Sequence, residues 1–151
     1  KMLGVELRIA QILADRLFAS SRQLRMAPGH YTVLSLIKLN PGINQSRLAH
    51  SMYLDRSSMV PILDQLEKKD WIERKRPPND RRSHALYLTN AGHTAVKQAD
   101  REVNKLEESI ATEMGHDNCA NLLALIKQFQ AALLTLQTSD RITEMNNDNK
   151  D

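Results

Sequence analysis

A mainly α-helical protein carrying one small β-hairpin is what this sequence predicts, and three observations predict it. Aromatic residues make up only 4% of the chain and charged residues 26%, the balance of a helical, well-solvated protein. Apolar residues recur at intervals of three and four through most of its length, the period of an amphipathic helix. Residues 71–89, WIERKRPPNDRRSHALYLT, break that rhythm. Trp71-Ile72-Glu73-Arg74 and Ala85-Leu86-Tyr87-Leu88 hold the aromatic and branched side chains of half-buried strands, and Pro77-Pro78-Asn79-Asp80 makes the turn between them.

The elements follow in order. Residues 3–25 form a first predicted helix, with Ile9, Ile12, Leu13 and Leu17 at its apolar positions. A second begins near Pro28, which suits a first helical turn, carries Tyr31, Leu34, Ile37 and Leu39 inward, and stops at Asn40-Pro41-Gly42. Asn44 is placed to cap a short third helix through Leu48, Ala49 and Met52. A turn at Tyr53-Leu54-Asp55 leads into a fourth helix ending near Lys69. An interior Pro61 would cost that helix about 3 kcal/mol, so Ser57 or Ser58 is the expected cap rather than Asp55. Pro61 then falls in the first turn, with Ile62, Leu63 and Leu66 inward and Gln65, Lys68 and Lys69 outward.

Beyond the hairpin, Thr89 caps a long helix whose Val96, Val103, Leu106, Ile110 and Met114 share one face. Gly115 ends it and Asp117 caps a last helix, where Leu122, Ile126, Phe129, Leu133 and Leu136 repeat as a heptad-like seam. The polar end from Ser139 is expected to fray. In this order the elements describe a winged helix-turn-helix core with helical extensions. The expected division is an N-terminal dimerisation helix (1–26), a DNA-binding domain (27–92), C-terminal dimerisation helices (93–138) and a flexible tail (139–151). Dimerisation is the simplest use for the apolar surface of the first and last helices; folding back on their own core is the rival use.

Charge points to the same place. The chain is only +3 overall, but residues 68–82 hold seven cations against three anions, whereas residues 140–151 sum to −2. A cationic β-ribbon has an obvious partner in the phosphate-lined groove of double-stranded DNA. No apolar run is expected to approach the roughly 20 residues of a membrane span, and no secretory signal is evident, so no membrane partner is expected. The single cysteine, Cys119, excludes an intramolecular disulfide and fits a cytoplasmic location.

Enzyme chemistry finds no constellation here. The five histidines (His30, His50, His84, His93 and His116) lack metal-ligand spacing with cysteines or carboxylates, so neither metal nor cofactor is expected. Ser83-His84 has no evident third partner or oxyanion hole, and no glycine-rich phosphate loop occurs.

DNA-contacting residues can be nominated from chemistry. Arg56, Ser57 and Ser58 lie at the start of the fourth helix, the end that usually meets base edges and phosphates. Arg56 suits bidentate contact with guanine, and Pro61 offers an apolar surface to a thymine methyl. Gln45 and Ser46 begin the supporting helix and suit phosphate contact. Arg74, Lys75, Arg76 and Arg81 add sequence-independent attraction. Arg82, near the ribbon tip, suits the narrow minor groove, with Asp80 orienting its guanidinium and Ser83 beside it. A purely structural turn ion pair is the alternative for Asp80 and Arg82.

These segments resemble the MarR family of bacterial transcriptional regulators. INQSRLAHSM resembles its supporting helix and LDRSSMVPILDQLEKKDWIER its reading helix and first wing strand. NDRRSHALYLTNAGH resembles the family's D-x-R-[SA]-x-x-x-x-L-T-x-x-G signature, at Asp80, Arg82, Ser83, Leu88, Thr89 and Gly92. The resemblance covers about residues 34–92 by motif and the flanking helices by pattern. It implies a homodimer whose DNA affinity is altered by a small molecule or by thiol oxidation. The oxidation branch keeps a reactive cysteine in the first helix, and none lies there in this chain; Cys119 is expected to pack as a small apolar residue.

The phrases RSHALYLT and DRSSMVPILDQLE are also similar to regulators of hydroxycinnamate and benzoate catabolism. That similarity implies a repressor of aromatic-acid catabolic genes, released from a palindromic operator by a small aromatic carboxylate. The expected effector site has Arg16 and His30 for the carboxylate and Leu17, Met26 and Leu34 as walls, with Ser20 beside them. A salt bridge for Arg16 and a satisfied core position for His30 are the plainer readings. An architectural DNA-binding protein without effector is the alternative function.

Overall fold

A computed structural model describes residues 2–21, 24, 26–76 and 84–148, with side chains to residue 138. Its elements are α1 (Leu3–Ser20), α2 (Pro28–Leu39), β1 (Ile43–Asn44), α3 (Gln45–Ser51), α4 (Arg56–Lys68), β2 (Ile72–Lys75), β3 (Ala85–Leu88), α5 (Asn90–Met114) and α6 (His116–Asp148). The chain divides into two units, residues 1–106 and 107–151, with α5 running from the first into the second.

The core of the first unit gathers one face from each element. Val33, Leu34 and Ile37 of α2, Leu48 of α3, and Met59, Leu63 and Leu66 of α4 pack with Ile72, Leu86 and Val96. The stripe on α2 is therefore Val33-Leu34-Ile37, and Leu39, expected to face inward, is 74% exposed. Asn44 caps α3 as expected, its side chain accepting from the Arg47 N–H at 2.9 Å. Thr89 likewise caps α5 by accepting from the Gly92 N–H at 3.0 Å.

Three boundaries differ from expectation. The first helix stops at Ser20 rather than reaching Arg25. The last begins at His116, directly after Gly115 at φ +86°, and runs on through Ser139 to Asp148; no proline or glycine interrupts it there. The fourth helix is capped by Asp55, with Pro61 in its interior.

Two causes explain the cap. The α3 helix closes with Tyr53 in the left-handed region (φ 54°), where Leu54 N–H bonds Ala49 O at 3.0 Å and Tyr53 N–H bonds His50 O at 3.1 Å. That compact turn closes at Leu54, so Asp55 is the residue left between it and Arg56. Burial of Met59 in helical register with Leu63 and Leu66 then contributes about 1.5–3 kcal/mol per side chain, enough to offset the proline. Pro61 also sits on the exposed face, where the carbonyl it leaves without a donor can meet water.

The hairpin forms with β2 and β3 antiparallel, Ile72 opposite Leu88 and Arg74 opposite Leu86. A third strand, not expected from sequence, completes the sheet in the order β1-β3-β2, with Ile43 opposite Leu86.

Candidate nucleic-acid interface

The α3 and α4 helices form the helix-turn-helix, and one side-chain bond ties their starts together. Gln45 Nε2 donates to the Arg56 carbonyl at 3.1 Å, so Gln45 braces the reading helix. Ser46 and Arg56 are exposed beside it. Asp55 makes no side-chain cap bond, and Ser57 and Ser58, also exposed, are not the cap. Their exposed hydroxyls stand at a helix start where the Ser58 N–H bonds the Asp55 carbonyl at 3.1 Å, a position suited to a phosphate or a base edge. Along α4, Ser57, Pro61, Asp64 and Lys68 line the outermost stripe, opposite Met59, Leu63 and Leu66. Val60, 41% exposed beside that stripe, was not nominated from sequence. The signal for it is a branched apolar residue off the buried register.

The wing's described cations are engaged to different degrees. Arg74, expected to add sequence-independent attraction to DNA, is engaged within the protein: its guanidinium pairs with Asp64, and its Nε lies 3.4 Å from Glu67 Oε2. Strand alternation explains this, because Arg74 shares the face of buried Ile72, the side turned to α4. Lys75 Nζ pairs with Glu73 at 2.6 Å and lies 5.2 Å from the Tyr87 ring centre. Arg76 Nε donates to His84 Nε2 at 3.4 Å. Asp80, Arg81, Arg82 and Ser83 lie outside the described residues.

The residues nominated for an effector do not form one site. Arg16 and Leu17 are exposed on α1, and Ser20 Oγ donates to the Leu17 carbonyl at 2.7 Å. Leu34 is fully buried in the core and has no surface to offer a ligand, which corrects its assignment as a wall. His30 is set against α4 instead of α1. Burial holds its imidazole below the usual histidine range, the Lys69 ammonium pushes it the same way, and a bond with Gln65 opposes them. Its Nδ1 is buried without a hydrogen-bond partner.

Met26 does line a cavity. A cleft of about 480 Å³ is bordered by Met26, Trp71, Asn90, Ala91, Thr94 and Ala95, with Gln98 and Ala99 beyond them. Lys69 Nζ stands 4.6 Å from the Trp71 ring centre. Sequence reasoning missed this cleft because its wall of α5 and its Trp71 come from segments adjacent only after folding.

Trp71 is also a mechanical joint. Its N–H bonds Leu66 O at 3.0 Å at the end of α4, and its carbonyl accepts from Thr89 N–H at 3.2 Å at the start of α5. The reading helix, the wing and the long helix thus meet at one residue.

Comparison with known proteins agrees with this geometry. The model of the MarR family matches residues 26–84. The chain is 36% identical over 128 residues, 83% of its length and 77% of the relative's, to a protein of Thauera aromatica assigned to transcriptional regulation of the hcr operon. Among solved structures it resembles the transcriptional repressor CouR bound to a 23-mer DNA duplex. The TM-score there is 0.81 at 32% identity, covering 85% of this chain and 96% of that one. It also resembles a mutant of MarR from E. coli complexed with operator DNA, with TM-score 0.75, 26% identity, and 83% and 91% coverage. The helix-turn-helix, the three-stranded wing and these similarities together establish that the chain is no enzyme and belongs to the MarR family of DNA-binding transcriptional regulators.

Proposed function

We propose that the protein is a homodimeric repressor that holds a palindromic operator and releases it when a small aromatic carboxylate fills the cleft beside Trp71. The observation that carries the DNA-reading half is the exposed start of α4, where Arg56, Ser57 and Ser58 stand free of capping duty. Two such helices enter successive major grooves, roughly one helical turn apart. The relatives solved on DNA support this reading. A cytoplasmic location goes with this reading, since the operator it would hold lies there.

Exposed apolar side chains support the dimer. On α1, Val5, Ile9, Ile12 and Leu13 are open to solvent, as are Leu122, Leu125, Ile126 and Leu136 on α6. Residues 116–138 reach a mean hydropathy of 1.4, so by length and composition this helix could cross a membrane, contrary to the expectation from sequence. Lys127, followed by Gln128 and Gln130, sits near its middle, where a lysine costs a bilayer span about 2.5–3.5 kcal/mol. Covering by a second copy suits that helix better.

The effector half rests on the cleft's size and on its mixed lining, with Met26, Trp71, Ala91, Ala95 and Ala99 for an aromatic ring and Asn90, Thr94 and Gln98 for polar groups. An occupant pressing on Trp71 acts on the reading helix, wing and α5 at once, and a ligand that prefers the displaced arrangement lowers operator affinity by that preference. Resemblance to regulators of hydroxycinnamate and benzoate catabolism suggests the ligand class and the regulated genes.

A thermal-shift screen of hydroxylated benzoates and cinnamates tests this, followed by operator release with any compound that binds. Filling the cleft with Ala95→Trp should abolish the response to added compound. A filled variant that still responds would move the effector site elsewhere.

A further inference from the structure

The reading helix carries carboxylates on a surface meant for a polyanion. Asp64 falls on the outermost stripe of α4 with Ser57, Pro61 and Lys68, and Glu67 lies one turn further on the side of the wing. Unpaired, both would repel phosphates. Arg74 reaches both from β2, through Nη2 to Asp64 and through Nε, at 3.4 Å, to Glu67. Its side chain is only 24% exposed, against 58% for Lys75 on the opposite face of the same strand. Among the described residues these are the ion pairs that join the reading helix to the sheet.

We propose that Arg74 is a positioning residue for DNA recognition and takes no phosphate itself. By bridging two carboxylates one turn apart, it sets the distance and tilt of the wing relative to α4. Helix and wing can then meet adjacent grooves together.

The argument is one of leverage and geometry. The wing leaves α4 through the short Lys69-Asp70-Trp71 turn, and Arg74 is tied back to the helix beyond that turn, towards the wing's outer end. The broad guanidinium spans both carboxylates at once, hydrogen-bonded to Asp64 and in charge contact with Glu67 through a buried Nε that makes no hydrogen bond, a reach that a compact lysine ammonium does not reproduce. Exposed ion pairs add little to folding stability, about 0–1 kcal/mol, so the bridge acts chiefly on geometry.

The test uses two duplexes, one selected by the wild-type protein from a randomised pool and one of random sequence. Fluorescence anisotropy would follow binding from about 50 to 200 mM salt, the range over which phosphate contacts register. Arg74→Lys and Arg74→Ala should both lose about tenfold in affinity for the selected duplex, with the dependence of log K on log salt unchanged. The paired variant Asp64→Asn with Glu67→Gln is more cationic, so it should bind the random duplex more tightly. It should nonetheless lose about tenfold in preference for the selected one.

A phosphate-contacting Arg74 predicts the reverse pattern. Arg74→Lys would match the wild type, Arg74→Ala would flatten the salt slope by about 0.9 per protomer, about 1.8 for the dimer, and the paired variant would gain affinity with preference intact. Any of these results overturns the proposal. Should Arg74→Ala fail to fold, the other two variants still decide. A wild-type protein that selects no duplex would overturn the DNA-reading function along with the brace.

Discussion

Gly92 and His30 show how differently two residues can be read. A Cβ on Gly92 would lie 1.9 Å from the Trp71 carbonyl oxygen, so α5 can start against the Trp71 joint only with hydrogen in that place. Gly92→Ala should therefore cost about 1–3 kcal/mol or more, read from the urea midpoint; an unchanged midpoint would show that the two segments are not so close. The Leu88-Thr89-Gly92 signature singled out Gly92 but not this reason for it, because Trp71 meets it only after folding. The surroundings of His30 were not legible either, because Gln65 and Lys69 reach it from another helix. With its pKa lowered, folded His30 stays neutral while the unfolded chain takes up a proton near its ordinary value of 6.5. Stability should accordingly fall as pH drops below about 6.5 and be untouched above it. A His30→Gln variant should flatten that part of the melting-temperature profile; parallel profiles for the two proteins would contradict it.

Helix boundaries were legible where a local side chain sets them and not where the tertiary core does. Asn44 and Thr89 cap their helices as their chemistry suggests, whereas the start of α4 was misplaced because propensity alone penalises Pro61. The missed strand β1 is two residues long and exists only because Ile43 and Asn44 pair with β3, some forty residues on. At its other end α4 closes with Asp70 in the left-handed region at φ 55°, its N–H bonding Glu67 O at 2.9 Å. A non-glycine residue there costs roughly 1 kcal/mol, and an anion also opposes the negative end of the helix dipole. Asp70→Gly should thus stabilise the protein by about 1 kcal/mol, read as a raised urea midpoint, and keep the Thr89 Oγ1 bond to the residue-70 carbonyl. A lowered midpoint would show that the carboxylate has a stabilising partner.

At the scale of the whole molecule, the order of elements and the cluster of cations made the DNA-binding architecture legible, while the division of labour among those cations was not. Arg74 reads as one more positive charge until strand alternation turns it towards α4. If a second copy covers the exposed apolar side chains of α1 and α6, as proposed, sedimentation equilibrium should give a dimer; a monomer at micromolar concentration would leave those side chains without their proposed cover. Sequence-specific reading of DNA is the claim on which the effector and the brace both depend. Its most direct measurement is the affinity for a duplex selected by this protein set against that for a random duplex, followed between 50 and 200 mM salt. A preference of about 10³ or more for the selected duplex, with steep loss of affinity as salt rises, is the predicted result. Binding of both duplexes within about tenfold of each other would contradict it and point to an architectural protein instead.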